Sequence, residues 1–193
     1  MVIVGTPDDN FLAGTPQSDR ILALAGDDIV ISLGGDDQIF GDAGADLIVA
    51  GDGIDLIESG SGNDQIFGDA GNDVINSGDG VDVIKGGDGN DRIISGNGGD
   101  RIFGNVGDDF INGNAGDDNI NGGDGADIIS GDAGNDRVFG GSGDDNIFGN
   151  VGNDALNGDA GDDLVEGGAG SDTVFGGTGI GDDTLNGCVA KKV

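Results

Sequence analysis

Aliphatic residues recur every nine positions along this chain, at Ile21, Val30, Ile39, Ile48, Ile57, Ile66, Ile75, Ile84, Ile93, Ile102, Ile111, Ile120, Ile129, Val138, Ile147, Leu156, Val165 and Val174. Two residues before each stands an Asp, and from Asp28 onward a Gly stands two residues before that Asp. The repeating unit reads G-G-x-G-x-D-x-U-x with U aliphatic, as in Gly86-Gly87-Asp88-Gly89-Asn90-Asp91-Arg92-Ile93-Ile94. Its Gly/Asp half predicts a turn, because Gly admits positive φ and Asp or Asn closes side-chain turns on the backbone. Its last three residues predict a short strand in which neighbours alternate faces, so that only the aliphatic eighth position reaches a core.

Strands this short have no stability of their own, so the units are expected to stack, each strand pairing with equivalents above and below. Two units make one coil of 18 residues. The predicted fold is all-β, a right-handed parallel β-roll of about ten coils and, at ~4.8 Å per strand, about 48 Å long. Helix has no place in it. The organisation divides into degenerate repeats or a cap over 1–22, regular repeats over 23–175, and an irregular last repeat with a short tail over 176–193. In the first two units Asp8 and Gln17 replace the fourth-position Gly, and Asn10 replaces the Asp; the last unit, Gly176 to Asn186, holds two extra residues.

Composition narrows the chemistry. The chain of 193 residues has no His or Trp, one Cys and 45 Gly. A His-based metal site and Ser-His-Asp or Cys-His catalysis are therefore excluded. Seven Lys and Arg against 38 Asp and Glu leave a net charge of −31, which repels nucleic acid and anionic membrane surfaces. No apolar run approaches the ~20 residues of a transmembrane helix. The start, MVIVGTPDDN, lacks the basic and apolar regions of a secretory signal. Cys188 stands alone, so no intramolecular disulfide is expected. No EF-hand loop fits around Glu58 or Glu166, no Walker A sequence occurs, and no carboxylate pair is distinctive enough for glycosidase chemistry.

Stacking would set Asp carboxylates in two columns, where neighbours ~5 Å apart repel by about 3 kcal/mol at an effective dielectric of about 20. A chain this charged and this poor in apolar bulk folds only if something positive is bound in quantity. A hard divalent cation between turns meets that need, because Ca2+ takes six to eight oxygens from carboxylates and backbone carbonyls.

In these residues the sequence resembles the RTX (repeats-in-toxin, haemolysin-type calcium-binding) family, over Gly5 to Asn186. The resemblance implies Ca2+ ions between turns two units apart, each held by the Asp of both turns and by backbone carbonyls. The expected metal ligands are Asp19, Asp28, Asp37, Asp46, Asp55, Asp64, Asp73, Asp82, Asp91, Asp100, Asp109, Asp118, Asp127, Asp136, Asp145, Asp154, Asp163, Asp172 and, after the irregular unit, Asp183. About sixteen same-edge pairs would bind about +32 of charge, against a chain of −31. Folding and calcium binding are then one event, with a disordered metal-free chain that collapses in millimolar extracellular Ca2+. The implied role is a non-enzymatic folding or spacer module of a secreted protein. RTX proteins typically follow their repeats with a secretion signal and a cap, and neither is evident here. The alternative is a carbohydrate-binding or adhesive repeat module, or the repeat portion of an RTX toxin or enzyme.

Two outward features complete the picture. Phe67, Phe103, Phe139 and Phe175, at the ninth position of alternate coils, should line one face, with Phe40 and Phe148 opposite; that stripe and the coil ends are the candidate surfaces for self-association. Arg20, Arg92, Arg101 and Arg137 hold the outward seventh position, where they are expected to be solvated and to offset nearby carboxylates. Outward Thr at the seventh position occurs only at Thr173 and Thr184, too few for an ice-binding ladder.

Overall fold

The computed structural model describes residues 1–177, 182–187 and 190–191. Cys188 and the extra residues of the last unit, among 178–181, lie outside the described residues. Every regular element described is a strand; no helix is long and apolar enough to cross a membrane.

Among the described residues the strands fall alternately into two parallel sheets of eleven each. One sheet begins Val2–Val4, Arg20–Leu22, Gln38–Ala43 and Leu56–Ser61; the other begins Phe11–Ala13, Ile29–Ile31, Leu47–Asp52 and Gln65–Ala70. Register advances by one coil throughout: Ile39 lies opposite Ile57 and Ile57 opposite Ile75 in one sheet, Ile66 opposite Ile84 and Ile84 opposite Ile102 in the other. This is the β-roll expected from the nine-residue period, and its hydrophobic ladder from Ile21 to Val174 is fully buried between the sheets.

Two expectations are corrected. The strands in the regular region are mostly six residues long, not three: Leu56–Ser61 runs through the seventh to ninth positions of one unit and the first three of the next. The turn shrinks accordingly to about three residues, Gly62 to Asp64. The chain bends without leaving the ladder because the second position adopts positive φ, as at Gly60 (φ 110°) and Asp42 (φ 71°), while it and the third position stay paired and the first position drops out of the register. Alternation along the longer strand also turns the first position inward, so that Ala23, Ala50, Ser32, Ser59, Ser77 and Ser95 share the interior with the aliphatic ladder.

Outside, Phe67, Phe103, Phe139 and Phe175 do share one sheet, and Phe40 and Phe148 the other. The arginines are exposed, as expected, and each also rests on an aromatic ring. Arg20 sits over the Phe40 ring at 5.3 Å, Arg92 over Phe110 at 4.6 Å, Arg101 over Phe103 at 5.0 Å and Arg137 over Phe139 at 4.9 Å, with Lys85 over Phe67 at 5.2 Å. None of these arginines pairs with a carboxylate among the described residues. A flat guanidinium is weakly hydrated and finds a quadrupole within reach on the same face.

Candidate metal centre

Each ladder Asp closes a turn just before the next strand begins, and its side chain folds into the space between coils. Asp73 Oδ1 accepts the backbone N–H of Asp55, one coil back, at 2.8 Å. The same bond recurs along both edges, from Asp19 N–H to Asp37 (2.7 Å), Asp28 to Asp46 (2.8 Å), Asp64 to Asp82 (2.9 Å), Asp109 to Asp127 (2.8 Å) and Asp154 to Asp172 (3.2 Å). The sixth-position carboxylates are thereby welded to the backbone and almost wholly buried.

The other oxygen has no such partner. Oδ2 is buried and accepts no hydrogen bond in Asp28, Asp37, Asp46, Asp55, Asp64, Asp73, Asp82, Asp91, Asp100, Asp109, Asp118, Asp127, Asp136, Asp145, Asp154, Asp163 and Asp172. A buried, ionised oxygen without a donor costs several kcal/mol. Burial accordingly pushes the carboxyls of Asp73, Asp109, Asp118 and Asp145 from an ordinary 3.8 up to about 7, and those of Asp46, Asp55, Asp91, Asp127 and Asp136 up to about 6. At Asp73 the carboxylates of Asp91 and Asp55, one coil away on either side, push in the same direction.

The glycine pattern supplies further oxygens. Gly68 does not adopt positive φ; it is glycine for space. A Cβ there would stand 2.5 Å from Asp73 Oδ2 and 2.5 Å from the carbonyl oxygen of Gly86, one coil on. Gly41 repeats the arrangement, with Asp46 Oδ2 and the carbonyl of Ser59 each 2.5 Å from the same point. A side chain would collide with both oxygens, so the glycine lets the Asp Oδ2 and the next coil's carbonyl pack close against the backbone. The fourth-position carbonyls of Gly44 and Gly53 take no part in the backbone bonding between coils and face the next turn. Among the described residues no three acidic, Cys or His side chains converge, so any cation held here draws much of its shell from carbonyls. An all-oxygen, carbonyl-rich donor set fits Ca2+ and offers nothing to metals that favour nitrogen and sulfur.

Models of the RTX calcium-binding nonapeptide repeat match the chain many times over, in overlapping segments that include 4–39, 40–75, 76–111, 112–147 and 148–185. The chain belongs to the RTX calcium-binding nonapeptide repeat family. No curated protein matches it.

The RTX ladder is not uniform at its ends. Asp19 differs from the rest: its Oδ1 pairs with the Met1 ammonium, and its Oδ2 accepts both the N–H and the hydroxyl of Thr15, at 2.7 and 2.8 Å. Its pKa is held down, first by that ammonium. Asn10, which stands where a ladder Asp is expected, still gives its N–H to Asp28 Oδ1 at 2.7 Å. Asp183 remains in the ladder despite the two extra residues, accepting the Asp163 N–H at 3.3 Å.

Sequence reasoning missed a second, outer ladder at the fifth position. Asp27 Oδ1 accepts the Ala45 N–H (2.8 Å), Asp108 Oδ1 that of Ala126 (2.9 Å), and Asn135 Oδ1 that of Asn153 (3.0 Å). Its signal was the frequency of Asp and Asn just before the ladder Asp. These bonds point along the roll in the opposite direction to the inner ones, so each turn is tied to both neighbours.

Proposed function

We propose that this RTX repeat chain is a calcium-dependent folding module whose Gly-Asp turns take up Ca2+ between coils, with Asp28 to Asp172 as the carboxylate ligands. The observation that carries the reading is the run of seventeen buried Oδ2 atoms without hydrogen-bond partners. A cation beside them supplies the missing counter-charge, and without it the carboxylates must be protonated or repel. The metal would contribute charge neutralisation and a bridge between successive turns; the chain contributes oxygens fixed by the inner ladder. The role is structural, and millimolar calcium outside a cell is the setting in which such a module would fold.

Far-UV circular dichroism of the chelator-treated chain, titrated with Ca2+ and with Mg2+ as control, tests this. A cooperative gain of β signal with Ca2+ alone is expected. A chain fully β-structured without metal, or still disordered at several millimolar Ca2+, overturns the reading.

A further inference from the structure

Asp-Gly and Asn-Gly links rearrange readily, because glycine has no Cβ to hinder attack by its own nitrogen on the side chain before it. At the third position of the unit Asp52, Asp79, Asp88, Asn97 and Asp124 each precede a glycine. That glycine holds the fourth position of the turn, and the fold demands it: a Cβ at Gly80 or Gly89 would run into the carbonyl oxygen of Gly62 or Gly71, one coil back. The roll therefore carries labile links where it cannot exchange the glycine. All five third-position side chains are exposed to water.

What restrains these links is hydrogen bonding, not burial. The Gly53 N–H donates to the carbonyl of Ala70 at 2.8 Å, that of Gly80 to Asn97 at 2.8 Å, that of Gly89 to Val106 at 2.7 Å, that of Gly98 to Ala115 at 2.7 Å and that of Gly125 to Ser142 at 2.7 Å. Each bond runs to the next coil and fixes the peptide plane, which keeps the glycine nitrogen from turning onto the preceding side chain. Two of those side chains are held as well: Asp79 Oδ1 accepts Nδ2–H of Asn97 at 2.7 Å, and Asp124 Oδ1 accepts the Ser142 hydroxyl at 2.7 Å. All of these bonds cross from one coil to the next, so they last only while the coils are stacked.

We propose that Asp52, Asp79, Asp88, Asn97 and Asp124 are succinimide-forming sites that the stacked roll keeps inert, so that calcium sets the rate at which the chain ages chemically. This rests on the calcium reading proposed above, in which the metal-free chain is unstacked and open to covalent change. The glycine nitrogen attacks the side-chain carbonyl carbon of the residue before it, and the new C–N bond closes a cyclic imide. The amide proton departs with the leaving group, as water from an Asp carboxyl and as ammonia from Asn. Water then opens the imide at either carbonyl, giving aspartate or isoaspartate. Isoaspartate puts an extra methylene into the main chain. At Asp88 that insertion falls three residues before the ladder Asp91, within the turn that positions its carboxylate, so an aged turn no longer holds its ladder Asp in register.

The test incubates the full chain at neutral pH in Ca2+, in chelator, and in chelator with urea. Circular dichroism reports stacking, and peptide mapping with isoaspartyl methyltransferase labelling reports each link. Isoaspartate at the third-position links should form at least about ten-fold faster in chelator and in urea than in Ca2+. Equal rates in Ca2+ and in urea overturn the inference, because the bonds between coils then protect nothing. A chain that keeps its β signal in chelator overturns the calcium reading and the role given to calcium here; the ratio of the urea rate to the chelator rate then decides the protection by itself. Asp88→Ser, which places serine where Ser61 and Ser142 stand in their own units, should abolish labelling at that link and leave the others unchanged. Labelling that persists there overturns the assignment of the site.

Discussion

Asp73 accepts the backbone N–H of Asp55 at one carboxylate oxygen and leaves the other buried without a donor. This half-satisfied carboxylate is repeated along both edges of the roll.

Protons should partly replace calcium. Because folding raises the pKa of Asp73, Asp109, Asp118 and Asp145 from 3.8 to about 7, the folded metal-free chain binds more protons than the unfolded one between those values. Stability is therefore greatest near and below pH 4 and is lost as pH rises through 7. Chelator-treated protein should gain β signal on going from pH 8 to pH 5, and apparent calcium affinity should fall over the same descent. A β signal that does not change with pH in chelator contradicts this.

Asp118→Asn separates charge from geometry. The amide oxygen can still accept the Asp100 N–H, which Asp118 Oδ1 now accepts at 2.8 Å, and the amide NH2 brings donors where Oδ2 had none. The variant should bind about one to two calcium ions fewer, because Asp118 faces the turns of both Asp100 and Asp136, yet resist chelator better than wild type. Asp118→Ala, which also removes the ladder acceptor, should lose about 1–3 kcal/mol of local stability. Hydrogen exchange of the Asp100 amide with and without chelator reads both effects.

Leu33 is held at φ 83°, as Leu24 is at φ 86°, in the second position where the chain needs a left-handed residue. Such a conformation costs a non-glycine residue roughly 1–2 kcal/mol. Leu33 is also half exposed, so little burial is lost on truncation. Leu33→Gly should stabilise its coil by about 1 kcal/mol. The amide of Asp52, which donates to the Leu33 carbonyl at 3.0 Å, should exchange about five-fold more slowly.

Gly62 marks the opposite case. It lies at φ 141°, and a Cβ would run into the Gly44 carbonyl oxygen one coil back. The atoms it would meet, in Gly44 and Ala45, are all backbone, so no flexible side chain can yield. Gly62→Ala should cost more than about 2 kcal/mol and uncouple the coils on either side, splitting one calcium transition into two when followed by circular dichroism. A single unshifted transition counts against this account of the turn.

Most of the fold was legible in the sequence because it is a strict repeat. Ile57 and Ile75 differ by one coil, and a period of nine with one aliphatic residue per unit leaves stacking as the only way to bury them. The ladder Asp were legible for the same reason. What could not be read was what each oxygen does: that Oδ1 of Asp46 is spent on the Asp28 amide while Oδ2 is not depends on how one turn lies against the next. The exposure of the arginines was legible, but their seating on rings, such as Arg101 on Phe103, was not, because it is decided by side chains on a shared face, which sequence spacing does not rank.

By itself the sequence determined the period, the core residues, the two edges of acidic turns and the family to which they belong, because each follows from residue type at fixed spacing. Only the tertiary structure decided how long the strands run, that the first position faces inward, and that a glycine such as Gly68 is required for space whereas Gly62 is required for its dihedral angle as well. The physical reason is that these depend on the close approach of one coil to the next, where a single methyl group or hydroxyl settles whether two oxygens face a hydrogen-bond donor, a cation or each other.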